Sequence, residues 1–136
     1  MPTVSMNYLA ILVGAIVSVA IGFVFYLPAL FGNAWMRAIG KTKEQVEKDF
    51  SPLKIVWAFV SGFFISYALA RFIFWTKLNT AGGGVLVALL AGIGLVGATS
   101  LVNDLFEGRP RKLFWIYWTH HLVEFVVIGA MLGAWM

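Results

Sequence analysis

Four stretches of the chain are each long enough and apolar enough to cross a lipid bilayer as a helix. They cover residues 7–27, 54–75, 83–105 and 113–135. A helix that rises about 1.5 Å per residue needs about 20 apolar residues to cross a hydrocarbon core of roughly 30 Å. We therefore predict an all-α integral membrane protein, a single domain over residues 1–136 that folds as an antiparallel up-down four-helix bundle.

The composition supports a lipid environment. Hydrophobic residues make up 61% of the chain and charged residues 12%, whereas a soluble domain is about half apolar and about a quarter charged. A soluble fold of this size would expose large apolar patches. There is no cysteine, which excludes disulfides, thiolate metal ligands and cysteine nucleophiles. No phosphate loop, nucleophile elbow or dinucleotide fingerprint is present, and no particular cofactor is indicated.

Basic residues are concentrated in two of the predicted loops, residues 32–53 and 107–112. The opposite side of the bundle carries only Lys77 and, nearer a helix end, Arg71. Cytoplasmic loops of membrane proteins carry an excess of Lys and Arg, so we expect both loops in the cytoplasm and both termini outside, in a multi-pass protein of the cell membrane. The net charge of +4 then needs no nucleic-acid partner.

The first loop contains a helix-start signal. Thr42 is followed three residues later by Gln45, the spacing of a capping box. We predict a short helix from Lys43 to about Phe50. Its apolar side chains would rest on the membrane interface, although a solvated linker fits the same few residues.

Small residues recur at a spacing of four in every predicted span, which places them on one helix face. Such small-xxx-small patterns let helix backbones approach closely. They fit packing within one chain and association between copies equally, so a homo-oligomer or a place in a larger membrane complex stays open. The residues concerned are Ala10, Gly14, Ser18, Gly22, Ala58, Gly62, Ser66, Ala70, Gly84, Ala88, Gly92, Gly129 and Gly133.

The fourth span carries the candidate polar site. Glu124 falls near its middle, His120 and His121 precede it by four and three residues, and Tyr117 lies one turn further back. Residues at these spacings share a helix face. Ionisable groups within a bilayer are costly and mark candidate functional sites. A carboxylate and two imidazoles can share protons or bind a ligand.

Polar residues on other spans are predicted to complete this cluster. The third span places Asn103 and Asp104 at the depth of Tyr117 and the histidines, and the hydroxyl of Tyr26 is expected to face the same region. Arg71 either snorkels to the interface or reaches inward to neutralise a carboxylate. A polar cavity open to the cytoplasm would result.

A simpler interpretation of the cluster stays open. The cluster fits interhelical hydrogen bonding with a protonated Glu124 as well as it fits a functional site. A metal site is not predicted, because adjacent histidines point about 100° apart on a helix. Both would not readily bind one ion together with Glu124, and Asp104 would have to complete the ligand set.

Three segments resemble the domain-of-unknown-function 1761 family of small membrane proteins. They are MNYLAILVGAI at 6–16, FVFYLPALFGNAWMRAIGKT at 23–42 and FEGRPRKLFWIYWTHHLVEFVVIGAMLGAW at 106–135. The more specific element is an aromatic-Tyr-x-Pro-x-x-Phe-Gly-x-x-Trp signature, in which Phe25 stands where relatives tend to carry Trp. Its residues are Phe25, Tyr26, Pro28, Phe31, Gly32 and Trp35.

The resemblance implies a four-span membrane fold and supplies no catalytic residue. The signature is expected to end the first span at Pro28 and to turn the chain along the interface. We expect a non-enzymatic binding or transport-type module. The alternative is an accessory subunit whose polar groups are satisfied internally and whose partner surface is apolar. An intramembrane enzyme would need substrate access to the same carboxylate and imidazoles.

Overall fold

The computed structural model describes residues 5–136, and within this part of the chain it is helical and contains no strand. The N-terminal end, predicted to lie outside the cytoplasm, falls in residues 1–4, beyond the described part. Seven α-helices and one π-helical segment follow one another along the chain. They are α1 (Tyr8–Phe25), α2 (Gly32–Ile39), α3 (Lys43–Asp49), α4 (Pro52–Thr76), α5 (Ala81–Leu89), the π-helical segment (Leu90–Gly97), α6 (Ala98–Glu107) and α7 (Arg111–Trp135).

Within residues 5–136, four helices are long and apolar enough to cross a membrane. They are α1, α4, α7 and the continuous helix Ala81–Glu107, which comprises α5, the π-helical segment and α6 and is called the third span below. The prediction of an all-α four-helix membrane bundle is therefore confirmed.

Local signals explain where these helices begin. The side chain of Asn7 accepts a hydrogen bond from the amide of Ala10, and that of Thr80 accepts one from the amide of Gly83. Ser51 caps α4 in the same way, and Pro52 follows at the first helical position, where its missing N–H costs nothing. Each cap satisfies an amide that the helix itself leaves unpaired.

The predicted capping box is present at the start of α3. The hydroxyl of Thr42 accepts a hydrogen bond from the amide of Gln45 at 3.2 Å, and the Gln45 side chain accepts one from the amide of Thr42 at 2.9 Å. The short helix ends at Asp49. There Lys41 donates to the Asp49 carboxylate at 2.6 Å, and this contact lowers the pKa of Asp49 and ties the two ends of the segment together.

The four spans pack as an antiparallel bundle in which α1 lies against α4 and α5 lies against α7. Gly14 faces Ser66, and Gly62 faces Ser18, so that the order of contacts reverses along the two helices. An added Cβ at Gly62 would lie only 2.6 Å from the Ser18 hydroxyl oxygen. The small side chains on these faces therefore bring the α1 and α4 backbones into close contact.

The packed core occupies one half of the bundle, which we call the closed half. Its fully buried residues come from all four spans, and α7 lies between the others. The opposite half, which holds the loops 32–53 and 107–112, contains no member of this core cluster and is called the open half. The cluster consists of Ala10, Ile11, Leu69, Ala70, Ile73, Val87, Ala88, Ala91, Phe125, Ile128 and Leu132.

The π-helical segment lies in the middle of the third span, where the two halves meet. The indole N–H of Trp118 donates to the carbonyl oxygen of Gly92 in this segment at 3.0 Å. An added Cβ at Gly97 would lie 2.5 Å from Nε1 of the Trp118 ring. Insertions of this kind recur near functional sites, and this one seats an aromatic side chain of α7 against the backbone of the third span.

Candidate functional site

Glu124 lies at the centre of the bundle with 3% of its side chain exposed. The hydroxyl of Ser18 on α1 donates to one of its carboxylate oxygens. Nδ1 of His121 lies 3.1 Å from the other carboxylate oxygen. A buried ionisable group requires such partners, so both oxygens of this carboxyl group are satisfied within the chain.

His120 is placed differently from His121, although it is adjacent in sequence. Its ring centroid lies 5.1 Å from that of Phe25, 5.3 Å from that of Tyr26 and 4.9 Å from that of His121. Its Nε2 atom is buried and has no hydrogen-bond partner among residues 5–136. Buried polar atoms are usually paired, so this nitrogen is an unused donor or acceptor at the site.

These side chains lie at the inner end of an open cavity of about 570 Å³ between α1, α4 and α7. Most of its wall is apolar, and Ser18, His120 and His121 stand together with Glu124 at the inner end. The cavity extends to Lys54 at the start of α4 and to α3, whose Val46 lies at the mouth. Its lining is Ser18, Val19, Gly22, Phe23, Tyr26, Leu27, Trp35, Val46, Phe50, Lys54, Ile55, Ala58, Ser61, Ile65, His120, His121 and Glu124.

Asp104 lies in a second cavity, of about 390 Å³, between the third span and α7. It shares that cavity with Arg109, Tyr117 and His121. Because His121 borders both cavities, it separates Asp104 from the Glu124 side of α7. The sequence-based expectation of one polar cavity holding all these groups is thus replaced by two cavities that meet at a single imidazole.

Two predicted site residues stand apart from both cavities. The guanidinium of Arg71 donates through Nε to the Tyr67 hydroxyl at 2.9 Å on the same helix and lies 5.2 Å from the Tyr67 ring centroid. It therefore does not reach the carboxylate of Glu124. Asn103 is exposed and lines neither cavity, because it projects from the outer face of α6.

Comparison with protein families gives a match over nearly the whole chain. Residues 9–133 match the family described as Protein of unknown function (DUF1761). The chain belongs to this family. Neither the comparison with curated proteins nor the comparison with solved structures gives a match. The description of the family names no activity, so membership carries none to this chain, and the four-span architecture rests on the helices of the structure.

The signature that marks the DUF1761 resemblance folds into one wall of the cavity. The amide of Gly32 donates to the Leu27 carbonyl at 3.1 Å and that of Phe31 donates to the Phe25 carbonyl at 3.1 Å. The Phe25 and Phe31 rings stack with centroids 4.4 Å apart. An added Cβ at Gly32 would lie 3.0 Å from the Leu27 carbonyl carbon, which explains why this tight turn requires glycine.

The same turn carries Trp35 and Tyr26 to the site. The indole N–H of Trp35 donates to the Tyr117 hydroxyl on α7 at 3.0 Å, and the Trp35 and Tyr26 ring centroids lie 5.3 Å apart. The sequence shows Trp35 only as an interface aromatic and Ser18 only as a small residue. Their partners on α7 depend on how the helices are rotated against one another, and spacing within one helix does not reveal this.

Three side chains of α7 that line this cavity also form a set that can hold a metal ion. His120, His121 and Glu124 each offer a ligand atom, and these atoms lie within 4.8 Å of one another. The expectation that the two imidazoles diverge too far to bind one ion together with Glu124 stays a prediction, and the helix geometry bears on it. At about 100° per residue, Glu124 projects about 40° from His120 and about 60° from His121, on the arc between them. Rotation of both rings toward the carboxylate would form a three-ligand set without Asp104.

Proposed function

We propose that this protein is a non-enzymatic binding module of the membrane, of transport type. Its ligand occupies the cavity between α1, α4 and α7 and places its polar part against His120, His121 and Glu124. The observation that carries this proposal is the buried Glu124 at the inner end of a largely apolar cavity.

The dimensions and chemistry of the cavity support a ligand site. Binding pockets for small molecules commonly measure about 300–1,000 Å³ and combine apolar walls with a few polar groups that orient the ligand. The cavity of about 570 Å³ falls in this range. Three polar side chains, His120, His121 and Glu124, stand together at its inner end and most of the remaining wall is apolar, so it suits a ligand that has a polar part and an apolar part.

The state of His120 favours binding over a purely structural role. An accessory subunit would need its intramembrane polar groups only for packing, and Glu124 with its two partners fits that description. The unpartnered Nε2 of His120 does not, because packing alone gains nothing from an unsatisfied buried nitrogen. A ligand in the cavity would supply the missing partner.

The open half would face the cytoplasm under the orientation inferred from the basic loops. Lys54 and Val46 then stand at the entrance, with α3 lying along the interface. The ligand would enter between α1 and α4, where the bundle lacks the packed core seen in the closed half.

Native mass spectrometry of the gently extracted full chain tests this proposal. We expect the wild type to retain a small molecule and Ala58→Trp, which fills the cavity, to lose it. Ala98→Trp is the matched control, because Ala98 is also exposed on a span and lines neither cavity. A wild type without a bound molecule, or equal retention by Ala58→Trp, would contradict the proposal.

A further inference from the structure

We propose that the polar end of the cavity, at His120, His121 and Glu124, holds a divalent transition-metal ion of the Zn²⁺ and Co²⁺ class, to which the polar part of the ligand binds. This inference rests on the proposed function, since it names the species that the polar end of the cavity takes.

The donor set determines the class of ion. Two imidazole nitrogens and one carboxylate oxygen suit Zn²⁺ and its first-row neighbours, whereas Mg²⁺ and Ca²⁺ prefer oxygen ligands alone. The chain contains no cysteine, so no thiolate competes for a softer ion. Catalytic and exchangeable zinc sites commonly use three protein ligands of these types.

The distances require only small side-chain movements. The three ligand atoms lie within 4.8 Å of one another. Metal–ligand bonds of about 2.1 Å in tetrahedral geometry place ligand atoms about 3.4 Å apart. All three residues are on α7, so the backbone spacing between them is set by one helix, and rotation about side-chain bonds can close the remaining gap.

The surroundings are those of a built site. Ser18 holds one oxygen of Glu124 from α1, which limits the rotation of the carboxylate as partners outside the ligand set do in known metal sites. His121 is positioned by its contact with the same carboxyl group. The buried Nε2 of His120, which has no partner in the described part of the chain, can bind a metal.

The cavity provides the remaining coordination position. All three residues line the cavity between α1, α4 and α7, so an ion held by them would also face that space. A site with three protein ligands keeps a position for water or another ligand. Such an open site can take up and release its ion, as a transport-type module requires, whereas a closed structural site cannot do so readily.

The two histidines make a direct test possible. They are the only histidines in the chain, so protein labelled with ¹⁵N-histidine gives imidazole signals from this site alone when a histidine-free tag is used. We expect one equivalent of Co²⁺ to broaden or shift the signals of both residues. Zn²⁺ should displace the Co²⁺, since Zn²⁺ generally binds such ligands more tightly, and a large excess of Mg²⁺ should change nothing.

Substitutions then assign the third ligand. Glu124→Gln should weaken Co²⁺ binding at least tenfold, whereas Asp104→Asn should leave it unchanged, because Asp104 lines the other cavity. Absence of any Co²⁺ effect on the wild-type histidine signals would overturn the inference, whether or not the variants fold. Equal affinities of wild type and Glu124→Gln would overturn the assignment of Glu124.

The outcomes also separate this inference from the proposed function. If Co²⁺ leaves the histidine signals unchanged while Ala58→Trp abolishes retention of an organic molecule, the metal inference fails and the binding function stands. If Co²⁺ perturbs both histidines at one equivalent and Ala58→Trp weakens that binding, both are supported.

Discussion

The contact between α5 and α7 predicts a large difference between two glycines that lie two residues apart. Gly84 packs directly on the α7 backbone, and an added Cβ would lie 2.6 Å from the carbonyl carbon of Gly129. At Gly82, on the same helix, an added Cβ would meet nothing within 4 Å. Substitution by alanine adds the same methyl group at both positions. At Gly84 the methyl group enters a contact with α7, and at Gly82 it enters open space.

The size of the effect follows from two opposing contributions. Overpacking a close contact costs about 1–3 kcal/mol, and the upper end applies at Gly84 because the neighbour is backbone and cannot rotate away. Replacing a helical glycine by alanine gains up to about 1 kcal/mol. We expect Gly84→Ala to lower the free energy of unfolding by about 2 kcal/mol and Gly82→Ala to leave it unchanged or raise it by up to about 1 kcal/mol.

Reversible unfolding of the full chain in mixed micelles measures this difference. Sodium dodecyl sulfate is titrated into the micelles, and unfolding is followed by tryptophan fluorescence and circular dichroism. The free energies of unfolding of the two variants should differ by about 2–3 kcal/mol. If Gly84→Ala were as stable as Gly82→Ala, the close approach of α5 and α7 at Gly129 would not exist in the folded protein.

Three further predictions address the site and the loop. Ser18→Ala should lower the free energy of unfolding by about 1–2 kcal/mol, since the Glu124 carboxyl group loses a buried partner; no loss in the same unfolding titration would contradict this contact. Trp118→Phe should lower it by about 1 kcal/mol, because Trp118 no longer donates to the Gly92 carbonyl in the π-helical segment, and hydrogen exchange should increase there. The pKa of Asp49, measured by carboxyl ¹³C NMR, should lie below its usual range and return to it in Lys41→Gln. Because the pKa is lowered in the folded protein, this contact stabilises the loop at neutral pH and is lost as the pH falls through the lowered value.

Features that depend on one segment were predictable from the sequence. Span length and hydropathy identify the four long helices, and the three-residue spacing of Thr42 and Gln45 locates the start of α3. The spacing of His121 and Glu124 likewise follows from 3.6 residues per turn, so their contact within α7 needed no knowledge of other helices.

Features that depend on several segments were not predictable in the same way. The helix α2 was expected only as part of a loop, because residues 32–39 are too few to show a clear period. The pairing of Ser18 with Glu124 depends on the rotation of α1 against α7. That rotation is determined by contacts along the whole interface, from the Asn7 side chain near the Trp135 carbonyl to Gly22 near His120.

Asp104 illustrates how far depth alone can mislead. Asp104 lies at about the depth of the histidines, as the antiparallel arrangement requires. It lines a cavity on a different side of α7 from the cavity that Glu124 faces. Matching depth in a bundle leaves open which side of a neighbouring helix a residue faces. The face of α7 that packs on the third span is marked by Trp118, whose ring donates to the Gly92 carbonyl and fits against Gly97 because that residue has no side chain.

The division of the bundle into two halves explains how a polar site is accommodated. In the closed half, glycine contacts such as Gly84 with Gly129 bring backbones together and bury Ile11 and Leu132 completely. In the open half, the rings of Phe25 and Tyr26 on the α1 side contact His120 on α7, and the space left between α1, α4 and α7 is the cavity. Ser18 and Glu124 meet at the boundary, close enough to the packed core to be held in place and close enough to the cavity to meet a ligand. Substitutions that fill the cavity should therefore alter binding more than stability, whereas those in the closed half should do the reverse.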